Sequence, residues 1–279
     1  SPGTRETDVL SPSNRVDEIH AIMLSGGSAY GLAAADGAMR YLEGQGIGVK
    51  VGSSVVPIVP SAILFDLGIG EREVRPDSES GYHACEFASS DPVEQGTVGA
   101  GTGATVGKTQ GPQRSVKGGL GSASIDLGEG LLVGALVVVN AIGSVHDPGN
   151  GSLIAGPRIN KSMSSSIDDL ISGNSFKLPD INGNTTIGVV ATNAKLTKAQ
   201  ATRMAASSHD GLALAIRPSH LIGDGDTMFS ISTGEQGGID GYGDMNRIIA
   251  GAIQTVSLAI VNAINFAETI GGIPSVKDL

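Results

Sequence analysis

Asn182-Gly183-Asn184-Thr185-Thr186-Ile187-Gly188-Val189-Val190-Ala191-Thr192 passes without a break from turn-forming residues into an apolar, β-branched run. Such a run reads as a loop tip feeding a buried strand, which places Thr185 at the junction of the two. A threonine hydroxyl becomes a useful nucleophile only with a base beside it, and the nearest base a chain can offer is the α-amino group of that same threonine. Cleavage of the bond between Asn184 and Thr185 would free that amine. The plainer reading of the same residues is an Asn-Gly-Asn turn before a strand. The rest of the chain decides between them.

With 279 residues, the chain suffices for one large α/β domain or two small ones. Hydrophobic residues make up 40%, charged residues 16% and aromatics 3%, with 42 glycines and no tryptophan, so the core must be packed from Ala, Val, Ile and Leu. A net charge of −10 with scattered Lys and Arg argues against a nucleic-acid partner, because phosphate binding needs clustered cations. The single cysteine, Cys85, rules out an internal disulfide and a cysteine-rich metal site, and fits a reducing, cytoplasmic setting. No cofactor or metal is expected. Ser1-Pro2-Gly3-Thr4-Arg5 shows no charged-then-apolar leader. Residues 248–267 form a long uncharged run, yet Gln254, Thr255, Ser257, Asn262 and Asn265 interrupt it. Its apolar residues, among them Ile248, Ala252, Val256, Ala259, Ile260 and Ala263, recur at helical spacing. This predicts a long buried helix, stopped by Gly271, Gly272 and Pro274, and no membrane span.

Residues 19–24 read as a short strand, after which Ser28 is expected to cap a helix over 30–43. Strands at 48–51 and 61–67 and a helix over 79–89 follow. Gly96 to Thr109 invites a nucleotide-binding reading, but five residues lie between Gly101 and Gly107 where a P-loop has four, and Gln110-Gly111-Pro112 forbids the helix that must follow. What survives is Lys108, held on a glycine-rich backbone. Residues 121–127 and 131–139 form a hairpin whose second strand is apolar on both faces up to Asn140. An asparagine at the edge of a core can serve a structural carbonyl or a developing oxyanion, and the residues alone favour the structural role. Residues 148–184, rich in Gly, Ser and Asn, read as a linker with a short helix near 167–171. Thr197 with Gln200 forms a capping box opening a helix to about residue 216, within which His209 reads as packed or solvated. Asp224 and Asp226 precede a strand over 228–232. Such acids can orient an amine or hydroxyl, though a solvated turn is the default reading.

Four boxes then carry a resemblance: Pro2-Gly3-Thr4-Arg5-Glu6-Thr7-Asp8, Gly26-Gly27-Ser28-Ala29-Tyr30-Gly31-Leu32, Gly183-Asn184-Thr185-Thr186 and Asp224-Gly225-Asp226-Thr227. In order and spacing they are similar to the DmpA/NylC family of autoprocessing amide hydrolases, which includes β-peptidyl aminopeptidases and nylon-oligomer hydrolases. The likeness covers nearly the whole chain. It implies a four-layer αββα sandwich, self-cleavage between Asn184 and Thr185, and a small peptide or amide substrate. It makes Thr185 the nucleophile and first residue of a subunit of residues 185–279, paired with residues 1–184. It matches Asp224 and Asp226 to an acidic pair beside the nucleophile, Lys108 to a nearby lysine and Asn140 to an oxyanion-hole asparagine. The cleaved units are expected to form a homo-oligomer. Phe65 stands where the nylon hydrolases carry an active-site tyrosine, so a substrate-facing hydroxyl is missing. The family also has residues ahead of the first box, which points to strands upstream of Ser1. Competing expectations are an acyltransferase of the ornithine-acetyltransferase type and an uncut, non-catalytic relative.

Overall fold

A computed structural model describes residues 2–159, 162–175, 183–239 and 241–279. One sheet is formed by β1 (Gly3–Arg5), β2 (Met23–Ser25) and β3 (Ser61–Ile63), with β3 in the middle, antiparallel to β1 and parallel to β2. Helices α1 (Ala34–Gly44) and α2 (Ser78–Glu86) belong to this half. The second sheet contains β4 (Gly119–Asp126), β5 (Leu132–Asn140), β6 (Thr185–Thr192) and β7 (Thr227–Ser232), in spatial order β7-β6-β5-β4. β5 runs antiparallel to both β4 and β6, while β6 and β7 are parallel. The short α3 (Ser166–Ile171) precedes β6, and the long helices α4 (Lys198–Ala215) and α5 (Gly241–Asn265) follow β6 and β7.

Three apolar layers hold these elements in a sandwich. Along β5, Val133, Ala135, Val137 and Val139 face one way and join Met204 and Leu212 of α4 and Ile248, Ala252, Val256 and Ile260 of α5. Val138 faces the other way and meets Ile187, Phe229, Ala62 and Leu64 between the two sheets. That alternation is why β5 reads as apolar on both faces. On the far side, Ala35, Ala38 and Leu42 of α1 pack against Val59 and Met23. The order is therefore helix, sheet, sheet, helix: the four-layer αββα sandwich. Glycine lets the layers close, because a Cβ on Gly121 of β4 would stand 1.9 Å from the Ala259 carbonyl oxygen of α5.

α5 is long and apolar enough to cross a membrane by length and composition, and its buried residues, including Ile248, Ala252, Val256 and Ile260, lie in the core between α4 and β5. The polar interruptions that face the protein are satisfied: the Asn262 Nδ2 donates to the Ser122 carbonyl at 2.9 Å, the Thr255 Oγ1 to the Gly251 carbonyl at 2.9 Å and the Ser257 Oγ to the Gln254 carbonyl at 2.9 Å, while Gln254 and Asn265 are exposed.

Several sequence expectations need correction. Ser28 does not cap a helix: it has φ +56°, a 3-10 turn occupies Ser28–Ala33, and α1 begins at Ala34. The turn is fixed instead by the edge of the sheet, through Gly27 N–H to Asp66 Oδ1 at 2.7 Å and Ser28 N–H to the Leu64 carbonyl at 2.9 Å. The strands expected at 19–24 and 61–67 shrink to Met23–Ser25 and Ser61–Ile63, and the helix expected at 79–89 starts at Ser78, capped by Asp77. The capping box at Thr197 and Gln200 is present, and the hairpin before Asn140 is β4–β5.

The linker expected over 148–184 is largely structured where it is described. Leu153–Ala155 pairs with Ser144–His146, and Arg158–Ile159 with Ser162–Met163. Buried Asp169 of α3 accepts from Thr109 Oγ1 at 3.0 Å and from Ser164 Oγ at 2.8 Å, which ties the segment to the loop carrying Lys108. Residues 176–182 of that reading, including Asn182, lie outside the described residues.

Candidate active site

The site is assembled by strand register at the start of β6. Thr185 stands opposite Asn140, the last residue of β5. On the other side a parallel bridge joins Asn184 to Asp224, and the ladder continues from Ile187 and Thr227 with the same offset. Asp224 is therefore level with the residue before the junction and Asp226 with Thr186. Two acids two positions apart fall beside the junction because β-strand period and parallel register both require it.

Thr185 is 7% exposed. Its Oγ1 donates to the carbonyl oxygen of Asn184 at 2.6 Å, and that same oxygen accepts the Gly225 N–H at 2.9 Å. The carbonyl ahead of Thr185 is thus polarised by a backbone donor from the loop that carries the two acids.

Lys108 reaches the site from a loop bonded to the chain after β5: Gly107 N–H meets the Gly143 carbonyl at 3.1 Å and Lys108 N–H the Ile142 carbonyl at 2.9 Å. Gly107 has φ +69°, and a Cβ there would lie 2.5 Å from the Gly156 carbonyl carbon, so the glycine-rich character serves close approach. The Lys108 Nζ donates to Asn140 Oδ1 at 2.8 Å and to the Asn140 carbonyl at 3.2 Å. Burial pushes this lysine down to about 7, opposed by the attraction of Asp224.

Asn140 ties both sheets together. Its Oδ1 also accepts Thr105 N–H at 3.0 Å, and its Nδ2 donates to the Phe65 carbonyl at 2.9 Å and the Gly183 carbonyl at 3.3 Å. Phe65 thus meets the junction through its backbone, and its ring lies where a Cβ on Gly183 would come within 3.3 Å of Cδ1.

Asp224 Oδ2 accepts Leu221 N–H at 2.8 Å. Burial, reinforced by the neighbouring charge of Asp226, raises its carboxyl to about 6. Asp226 Oδ1 accepts Thr186 N–H at 2.7 Å, and its Oδ2 pairs with His220 Nδ1 at 2.8 Å. All six residues singled out from the sequence, together with Asn184, therefore converge on the start of β6.

Three contributors were not legible beforehand. The Gly225 N–H is backbone, and glycine between two acids carries no signal for it. His220 lies in a loop with no motif around it. Lys117, fully buried, donates from Nζ to the Thr102 and Ala104 carbonyls at 2.7 and 2.8 Å, which fixes the chain just ahead of Thr105. Burial lowers it to about 8. Among the described residues, no three His, Cys, Asp or Glu side chains are grouped to hold a metal ion.

The sequence profile of peptidase family S58 matches residues 1–277. The chain belongs to peptidase family S58. Uncharacterised aminopeptidases of Mycobacterium tuberculosis and Mycobacterium leprae are 42% identical to it, covering 100% and 98% of this chain and 83% and 79% of their own. The 6-aminohexanoate-oligomer endohydrolase of Kocuria sp. is 31% identical, over 80% of this chain and 63% of its own. Among solved structures, a Pyrococcus horikoshii protein matches 98% of this chain and 72% of its own with a TM-score of 0.65 at 24% identity. The L-aminopeptidase D-Ala-esterase/amidase of Ochrobactrum anthropi, described as a variant of the Ntn-hydrolase fold, matches 87% and 64% with a TM-score of 0.61 at 20% identity. The S58 chain is thus a peptidase or amidase with the αββα fold of the Ntn hydrolases, and its substrates are peptides or amides.

Proposed function

We propose that this S58 enzyme cleaves itself between Asn184 and Thr185 and then hydrolyses small peptides or amides with Thr185 as its N-terminal nucleophile. The supporting observation is the Asn184 carbonyl, which receives the Thr185 hydroxyl and the Gly225 N–H at once. In maturation the Thr185 oxygen attacks the Asn184 carbonyl carbon while Gly225 N–H stabilises the developing oxyanion. The amide C–N bond breaks, the nitrogen takes the hydroxyl proton, and the resulting ester is hydrolysed by water to the Asn184 carboxylate and the Thr185 α-amine.

In turnover the α-amine, ordinarily near about 8, accepts the hydroxyl proton as the oxygen attacks the substrate carbonyl. It returns the proton to the leaving amine, and water releases the acyl group. Departure of residue 183 takes away one acceptor of the Asn140 Nδ2, and this N–H then serves the substrate oxyanion, a contribution of roughly 3 to 4 kcal/mol in enzymes where such a donor was removed. Lys108, when charged, favours the neutral α-amine by repulsion, and Asp224 and Asp226 orient both. Phe65 packs beside the entering substrate without a hydroxyl. This reading includes a cytoplasmic homo-oligomer of cleaved units.

Thr185→Ala tests it. The expected product is one uncut chain of 28.1 kDa by intact mass. Its amidase turnover is expected to be lower by a factor on the order of 10³ or more. A normally cut, active Thr185→Ala protein would refute the assignment. Assays with alanine p-nitroanilide, with and without an amine acceptor, separate hydrolysis from acyl transfer.

A further inference from the structure

Beyond the acidic pair the chain carries a second tier. Asp226 is nearly enclosed, with its side chain 6% exposed, and each of its oxygens is engaged. Oδ1 takes the amide hydrogen of Thr186, the residue after the nucleophile, at 2.7 Å. Oδ2 takes two donors from one residue: His220 Nδ1 at 2.8 Å and the His220 N–H at 3.2 Å. That double contact depends on an unusual backbone, because His220 has φ +59°, a conformation a bulky residue rarely adopts without compensation. The opposite nitrogen of the ring, Nε2, faces His209 Nδ1 on α4 at 3.4 Å, with the two ring centroids 5.0 Å apart.

An imidazole wedged between a buried carboxylate oxygen and a second imidazole nitrogen is favoured as a cation, which pairs its charge with Asp226 and can donate from both nitrogens. The groups around it agree. Asp226 and Asp224 on its own loop favour the charged ring and raise it, whereas burial and the neighbouring His220 hold His209 down, towards the neutral ring, which is able to accept at Nδ1, despite Asp226 and Asp210. Asp224 in turn faces Lys108 across the junction and is raised by burial and by Asp226, with His220 opposing that rise.

We propose that His220, backed by His209, is a positioning residue that acts through Asp226: its cation holds the carboxylate on the Thr186 amide and favours the ionised form of Asp224 beside the nucleophile. Neither histidine touches substrate. The inference rests on Thr185 being the nucleophile. Without the cation, two buried carboxylates in one small site compete for ionisation, so Asp224 holds its proton to higher pH.

The test is kcat/KM against pH for the cut enzyme, wild type beside His220→Gln, with Thr185→Ala as a control and intact mass to report cutting. Gln keeps a donor and loses the charge. The expected result is an acid limb moved up by about one pH unit, giving several-fold less activity near pH 6 and nearly full activity near pH 8.5. His209→Gln is expected to move the limb the same way by less. A His220→Gln enzyme with an unmoved limb, or one weakened by one factor at every pH, overturns the proposal while leaving the Thr185 reading intact. An active Thr185→Ala protein overturns that reading instead. Should His220→Gln fail to fold or to cut, histidine nitrogen NMR of the wild-type enzyme decides: His220 protonated on both nitrogens above pH 6.5 supports the proposal, and His220 neutral there overturns it.

Discussion

At the residue scale, the site stores charge in places where water cannot pay for it. Lys108 and Asp224 have opposite charges and opposite shifts, down to about 7 and up to about 6, and both shifts are led by burial. Each has a consequence for stability. A carboxyl raised from 3.8 to about 6 binds its proton more tightly when folded, so it contributes stability below pH 3.8 that is lost as pH rises through about 6. Asp224→Asn removes that cost. The variant is expected to be stabilised above pH 6 by up to roughly 3 kcal/mol and to lose the gain near pH 4, measured as urea midpoints at the two pH values. Activity should fall sharply with it, as expected where function and stability oppose. Lysine works in the other direction: held near 7, Lys108 gives stability that falls as pH drops from about 10.5 towards about 7, since the unfolded chain takes up the proton first.

At the scale of elements, the parallel register of β6 and β7 does the positioning, and at the other edge of the same sheet a glycine of β4 lets α5 pack closely. Gly121→Val places side-chain atoms against the Ala259 carbonyl, where even a Cβ would lie at 1.9 Å. The expected cost is 3 kcal/mol or more, on the order of the larger overpacking penalties, read as a lower midpoint in urea with the denaturant slope unchanged. The same elements explain what could be read in the chain. β5, β6, α4 and α5 were legible because long apolar periodicity and a capping box are local signals. Ser28 misled because its backbone is bent by bonds to Asp66 and Leu64, residues distant in sequence. Serine and glycine in the 148–175 region suggested a linker, yet there the Ser164 hydroxyl donates to buried Asp169, a contact that composition cannot distinguish from solvation. The site residues came from the family resemblance, and from local chemistry alone Asn140 read as structural and the paired acids as a solvated turn. His220 stayed hidden because its partner on α4 is reached only through the fold.

At the scale of the whole molecule, the bond before Thr185 lies inside a continuous sheet. β4 and β5 come from the segment ahead of it and β6 and β7 from the segment after it, and all four share one hydrogen-bonded ladder backed by α4 and α5. Under the proposed maturation, the two products are expected to travel as a single particle in size-exclusion chromatography and to part only in denaturant, where electrophoresis shows two bands. Elution of either fragment alone under native conditions would contradict this.

The interleaving of those strands has a thermodynamic corollary. An intact polypeptide finds the β5–β6 pairing as an intramolecular event, with the loop between them setting a modest closure entropy. Once that link is severed, the same pairing must be found by two independent molecules, and recovery from unfolding becomes second order in protein and open to aggregation. The proposed maturation would act as a ratchet: it would trade the ability to renature for a free amine, and the working form would persist through its barrier to opening.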